Sequence, residues 1–323
     1  MRIAVVGAGA WGTALACAAA RAGSEVKLWA RRPEQARQIA ATRENAERRP
    51  GHRLPDGIAV TAAPQDLADA EAWLLVVPAQ SLRARLTALA PVAPLGVALV
   101  ICAKGIERGS GLLLDRVVAD CLPRRPIAVL SGPTFAGEVA AGLPAAISLA
   151  AEDEALGAAL VAAVGSPTFR PYRSRDVTGL LLGGATKNVI GLAAGIVAGR
   201  GLGENARAAL LTRGLAEMTR LGRALGAQAE TMMGLAGLGD LILTGTSPQS
   251  RNYSHGLRLG RGETAGDALV EGAATAGALV TLAAQQGLEL PIAGAVAAVL
   301  AGDLSIDAAV EKLLARPFRP EEA

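Results

Sequence analysis

Six residues near the N-terminus constrain this chain more than any others: Gly7-Ala8-Gly9-Ala10-Trp11-Gly12. They follow a short β-branched run, Ile3–Val6, and open an Ala-rich stretch from Trp11 to about Ala22 that stops at Gly23. The string G-x-G-x-x-G is common by itself, but between a buried strand and a helix it is the turn of a dinucleotide-binding unit. Gly7 then permits the tight turn, Gly9 lets a pyrophosphate approach the backbone, and Gly12 lets the helix lie close to the sheet. The free N–H groups and positive dipole of the helix N-terminus complete a phosphate site, which includes Ala10 and Trp11. Against this stands a plain glycine turn in an Ala-rich protein.

Glu25–Trp29 reads as the second strand of a βαβ unit, which implies parallel pairing and a doubly wound α/β sheet. Ala59–Thr61, Ala72–Val77, Val97–Cys102, Ile127–Leu130 and Ala145–Leu149 continue the strand series, with Ser81–Leu89 helical and a turn at Gly132-Pro133. After about Phe169 strand-like runs nearly vanish. Thr178–Gly199, Asn205–Leu225, Ala265–Gln286 and Ile306–Ala315 read as helices, and the tail Pro320–Ala323 as frayed. The expected division is residues 1–176 as a Rossmann-type domain and 177–323 as an all-helical domain carrying substrate and catalysis. The 323 residues suit two domains of ordinary size.

Composition limits the alternatives. Only eight aromatics occur (3 Trp, 2 Tyr, 3 Phe), too few for base stacking, and the net charge of +3 is scattered, so no nucleic-acid partner is expected. The mild basic bias fits a small anionic substrate. Three cysteines, Cys17, Cys102 and Cys121, form no C-x-x-C pair, which argues against a disulfide framework or zinc site and for the cytoplasm. The N-terminal run reads as strand and turn rather than a leader. Leu180–Gly199 is apolar enough to span a bilayer, but Lys187, Asn188 and five glycines favour a buried helix, and no integral membrane contact is expected.

Two regions carry candidate chemistry. At the end of the second strand, Trp29-Ala30-Arg31-Arg32 has no carboxylate before Glu34. Arg31 and Arg32 there can pair with a 2′-phosphate, favouring NADP over NAD, or can be solvated loop charges. In the second half, Gly183-Gly184-Ala185-Thr186-Lys187-Asn188 sets a lysine in an apolar helix. Burial would lower its pKa into a range useful for proton transfer, unless it snorkels to solvent. Leu235-Ala236-Gly237-Leu238-Gly239-Asp240 leads to Thr244 and then Ser250-Arg251-Asn252. Asp240 could hold Lys187, and the second group could bind phosphate or form a polar loop.

These residues resemble the NAD(P)-dependent glycerol-3-phosphate dehydrogenases, close to the bacterial form. The segments GAGAWGTALA, LWARRPE, AKGIERG, LSGPTFAGEVA, GGATKNVIGLAAGI, GLGENARAALLTRGLAEM, GLAGLGDLILTGTSPQSRN and VEG carry the resemblance over about Ile3 to Leu314. It implies reduction of dihydroxyacetone phosphate by NAD(P)H, with Lys187 as the acid–base residue and Lys104 as a second cation near the substrate. Asn188 and Asp240 would orient Lys187, supported by Thr244. Ser250, Arg251 and Asn252 would bind the substrate phosphate, and Gly132 and Thr134 would line the substrate side. Ala136, Glu271, Lys104 and Arg251 would lie by the cofactor. The resemblance also suggests a role in glycerophospholipid synthesis, and the helical half suggests a homodimer. Four positions depart from the family pattern: Gly245 replaces a frequent Cys, Thr134 a Ser, Glu204 an Asp, and Tyr253–His255 a basic–aromatic pair. Competing readings are a ketopantoate or β-hydroxyacid dehydrogenase and a non-catalytic dinucleotide sensor.

Overall fold

The computed structural model describes residues 1–263 and 270–317; the tail Pro320–Ala323 and the beginning of the 265–286 stretch lie outside the described residues. The first half contains β1 (Arg2–Val6), α1 (Ala10–Arg21), β2 (Glu25–Trp29), α2 (Pro33–Thr42), β3 (Ile58–Thr61), β4 (Ala72–Leu75), α3 (Leu82–Leu89), β5 (Ala98–Ile101), α4 (Leu114–Cys121), β6 (Ile127–Ser131), α5 (Ala136–Ala141), β7 (Ala145–Ala151), α6 (Glu154–Val164) and β8 (Phe169–Ser174). The second half is helical among the described residues: α7 (Val177–Gly199), α8 (Glu204–Ala224), α9 (Ala229–Met233), α10 (Asp240–Thr246), α11 (Arg251–Gly260), α12 (Glu271–Gln285), α13 (Pro291–Ala301) and α14 (Ile306–Leu314).

The strands form one sheet in the order β3-β2-β1-β4-β5-β6-β7-β8, every neighbouring pair parallel except β6 and β7. The order reverses between β1 and β4, and such a switch point opens a crevice at the carboxyl ends of the strands. Alternation along β1 shows how the sheet is buried on both faces. Ile3 and Val5 join Leu15, Leu28 and Val139 under α1 and α5, while Ala4 and Val6 join Leu82, Leu86 and Val117 under α3 and α4.

Several expectations need correction. Strand β8 follows the point where strand-like runs seemed to end. Its sequence FRPYRS contains Pro171 and lacks the apolar run of a central strand, because it pairs only with β7 at the sheet edge. Strand β4 ends at Leu75, two residues before the expected limit. Helices α2, α4, α5, α6, α9, α10 and α13 were not expected, nor was α11, whose Ser250-Arg251-Asn252 start could equally have been a loop.

Helix α7 is the axis of the helical half, buried from Gly179 to Val197 with α8, α10, α11 and α12 packed around it. Its apolarity serves a protein core, and the whole membrane-length window is buried. Helices α7 and α11 touch backbone to backbone. A Cβ added to Gly195 would lie 2.1 Å from the Tyr253 carbonyl oxygen, and one on Gly256 2.0 Å from that of Leu192. Gly199 and Gly260 repeat the pair one turn on. The N-terminus of α11 is thereby fixed relative to Lys187 and Asn188 in mid-α7.

Candidate active site

The glycine turn forms as its sequence suggests. The Gly7 N–H donates to the Trp29 carbonyl (3.1 Å), joining the turn to the end of β2. A Cβ on Gly12 would sit 1.8 Å from the Gly7 carbonyl oxygen, so α1 could not approach with any other residue. A Cβ on Gly9 would meet nothing within 4 Å, which leaves an open cradle at the head of α1 where a pyrophosphate fits. Ala10 and Trp11 begin that helix. Arg31 and Arg32 are exposed at the end of β2, and Arg32 pairs with Glu47.

The catalytic candidates converge from four elements. Lys104 follows β5, Gly132 follows β6, Lys187 lies in mid-α7 and Asp240 heads α10. The Lys187 ammonium donates to Thr244 Oγ1 (2.7 Å) and lies 3.0 Å from Asp240 Oδ1. The Lys104 ammonium donates to Asp240 Oδ2 (2.5 Å) and to the Gly132 carbonyl (3.0 Å). One buried carboxylate thus holds two lysines, one on each oxygen. Burial pushes the Lys187 pKa down to about 8; Asp240 opposes the shift and Lys104 adds to it. Burial would raise the Asp240 pKa, but the two ammonium groups outweigh it and hold the carboxyl below its ordinary range.

The backbone supporting Asp240 is unusual. Residues Leu235–Gly239 form a π-helical turn, with the Gly239 N–H donating to the Gly234 carbonyl (3.0 Å). Such turns re-aim the residues that follow them. A Cβ on Gly184 would lie 3.2 Å from Lys104 Cγ, so the glycines before Lys187 leave room for the other lysine's stem.

Asn188 does something other than expected. It donates to the Gly184 carbonyl (3.2 Å), and its Oδ1 accepts from Asn252 Nδ2 (2.7 Å). Asn252 Oδ1 in turn accepts from the Gly272 N–H (2.8 Å), so Asn188 ties α11 to the head of α12. The reason is register: Asn188, one residue past Lys187, points about 100° around the helix from it. Ser250 caps α11, its Oγ accepting from the Tyr253 N–H (3.3 Å), and Arg251 is exposed at the first position. Thr134 is half-buried, its hydroxyl 3.3 Å from the Gly132 carbonyl, and Ala136 heads α5.

Glu271 heads α12, and its Oε1 accepts from the Ala79 N–H (3.3 Å). Burial raises its pKa, against that N–H and the charges of Arg251 and Arg108. Its Oε2 and the Thr275 hydroxyl are buried without partners, beside the backbone at Gly105. Two unsatisfied polar atoms facing the loop that carries Lys104 suit the polar groups of a dinucleotide. The residues present therefore fit a nicotinamide cofactor from the glycine turn through to the lysines.

Sequence reasoning missed three supporting groups. Gln80 donates to the Ile106 carbonyl (2.8 Å) and accepts from the Arg108 N–H (2.9 Å), while Arg83 grips Glu107 with two nitrogens; together they anchor the loop after Lys104. Buried Asn45 donates to the Ala8 carbonyl (3.0 Å) and to Thr13 Oγ1 (2.8 Å), bracing the glycine turn. A lone Gln or Asn carries no pattern that announces such a contact.

Comparison with known proteins identifies a family. Residues 2–157 match the family model described as the NAD-dependent glycerol-3-phosphate dehydrogenase N-terminus, and residues 176–311 match that of its C-terminus. The chain is 59% identical over 322 residues to a glycerol-3-phosphate dehydrogenase (NAD(P)+) of Bradyrhizobium sp. strain BTAi1, covering 99% of this chain and 98% of the relative. A crystal structure of glycerol-3-phosphate dehydrogenase from Coxiella burnetii superposes with a TM-score of 0.93 at 38% identity, covering 98% of this chain and 99% of that one. A ketopantoate reductase from Ralstonia eutropha JMP134 is similar in fold alone, with a TM-score of 0.64 at 20% identity over 93% of this chain and 97% of that one.

Proposed function

The chain belongs to the NAD-dependent glycerol-3-phosphate dehydrogenase family, and from that premise we infer that it reduces dihydroxyacetone phosphate reversibly to sn-glycerol 3-phosphate with NAD(P)H. When bound, the reduced nicotinamide supplies the hydride for C2 of the ketone. Lys187 gives a proton to the carbonyl oxygen in reduction and takes it back in oxidation. An ammonium has three N–H groups; Thr244 and Asp240 engage two, leaving the third for substrate. A pKa of about 8 makes that proton transferable near neutral pH. Asp240 keeps the ammonium in place and stabilises its return. Lys104, held by the other carboxylate oxygen, stabilises the charge developing on the substrate oxygen.

The substrate phosphate is assigned to the head of α11. Its free N–H groups, the Arg251 guanidinium, Ser250 and the remaining amide hydrogen of Asn252 form an anion site. Gly132 and Thr134 line the substrate side. On the cofactor side, Gly7, Gly9, Ala10, Trp11 and Gly12 take the pyrophosphate, Arg31 and Arg32 favour NADP at the ribose, and Lys104, Ala136, Arg251 and Glu271 flank the nicotinamide half. Residues 1–176 serve the dinucleotide and 177–323 the substrate. The same reading gives a cytoplasmic enzyme supplying glycerophospholipid synthesis and acting as a homodimer, which sedimentation will test.

The observation that carries the mechanism is Asp240 shared between Lys104 and Lys187. Mixing the protein with dihydroxyacetone phosphate and following NADPH absorbance tests it. Turnover should fall by about 10²–10⁴ in Lys187→Ala with cofactor affinity retained. Undiminished turnover in that variant would remove Lys187 from the proton transfer.

A further inference from the structure

The end of β2 carries no carboxylate in its own sequence, yet the fold brings one there. The loop after α2 returns to the glycine turn: Asn45 donates to the Ala8 carbonyl at 3.0 Å, beside Gln35 of α2 at 3.1 Å, and a bridge between Glu44 and Arg53 closes the loop. Two residues beyond Asn45, Glu47 reaches Arg32, the residue that starts α2 beside the end of β2. Its other oxygen lies 3.0 Å from Arg48. All three side chains are exposed, so a ligand can reach them. In a fold of this type, the place beside the end of the second strand is where the ribose of the dinucleotide meets the protein.

We propose that Glu47, clasped by Arg32 and Arg48 beside the end of β2, is the specificity-determining residue that balances NAD against NADP in this protein. The proposal rests on the reading of the glycine turn as the cofactor site. With an unphosphorylated ribose, the Glu47 carboxylate accepts the 2′-hydroxyl while the two guanidinium groups hold it in place. With a 2′-phosphate, the dianion takes over the two guanidinium groups and displaces the carboxylate. Arginine suits both partners because its planar fork matches carboxylate and phosphate alike. Glu47 therefore does two opposing things: it supplies the acceptor that NAD needs and competes for the cations that NADP needs. Arg48 joins Arg32 as a phosphate ligand, although it lies far along the chain from β2.

The test uses the full-length protein, Glu47→Gln and Arg48→Ala. Dissociation constants for NADPH and NADH come from fluorescence titration, and calorimetry with 2′,5′-ADP and 5′-ADP isolates the adenosine end. Glu47→Gln should raise the ratio of NADPH to NADH affinity at least tenfold. Arg48→Ala should lower it at least tenfold, through a loss of NADPH affinity. The two fragments should follow the same pattern. A ratio within twofold of the parent in Glu47→Gln, with the parent binding both dinucleotides, overturns the role of Glu47. A parent protein that binds neither dinucleotide overturns the reading of the site itself, and the two failures are thus distinct.

Discussion

The two ends of the cleft hold their charges in opposite ways. At the end proposed for the adenosine, Arg31, Arg32, Glu47 and Arg48 stand in solvent, with Glu47 paired to Arg32 and Arg48 in contacts that water and salt can replace. At the catalytic end, Lys187 and Asp240 are buried and Lys104 nearly so, each fixed by geometry that solvent cannot imitate. An exposed pair contributes about 0–1 kcal/mol, whereas removing one partner of a buried pair costs about 3–5 kcal/mol. Chemistry is thus invested where change is expensive, and cofactor choice where change is cheap.

The most severe way to break this contrast is Asp240→Ala. It leaves two buried ammonium groups facing each other without a counter-charge. We expect kcat to fall at least about 10³-fold and unfolding free energy to drop by about 3–5 kcal/mol, measured by steady-state kinetics and urea denaturation. A loss of activity with unchanged stability would mean that the lysines relax into solvent and that the centre is less closed than its geometry indicates.

The pH profile sharpens the same point. On the proposed mechanism, reduction needs the Lys187 ammonium and oxidation needs the amine. With the pKa near 8, kcat/KM for reduction should decline by about tenfold per pH unit above pH 8, while that for oxidation rises towards pH 8 and then levels. Glycine packing comes next. In Gly256→Ala the new methyl would press on the Leu192 carbonyl, and the overpacking should cost about 1–3 kcal/mol of stability and raise KM for the phosphorylated ketone several-fold. The smallest effect is expected of Arg31→Ala, about two- to fivefold in NADPH affinity and strongest at low salt.

How much was legible in the sequence follows a physical divide. The glycine turn, β2 and the burial of α7 were readable because each depends on neighbours a few residues away. The edge strand β8 was not, since Pro171 and its arginines suit a strand only when one side lacks a partner. At the site, Lys187 and Asp240 were nameable as residue types in telling company and Lys104 only through the family resemblance, but the sharing of one carboxylate between two lysines is a fact of tertiary packing. Asn188, whose link to Lys187 the resemblance implied, bonds to Gly184 and Asn252 instead, since a residue one past Lys187 turns about 100° away from it. Glu47 left no trace at all, since a carboxylate in the loop after α2 gains its place only once Asn45 draws that loop against the glycine turn.

The glycine-lined crossing of α7 and α11 also bears on how this scaffold could change its substrate. The position of α11 against α7 is set, at their crossing, by two main chains in direct contact, with no side chain between them to lengthen or trim. The crossing acts as a fixed ruler. A longer or shorter phosphorylated ketone cannot be accommodated by exchanging one rotamer for another there; it would have to be reached through Ser250, Arg251 and Asn252 at the helix tip. On the proposed placement of the substrate phosphate, a change in substrate length then falls to the side chains at the tip of α11, while the crossing beneath it stays fixed.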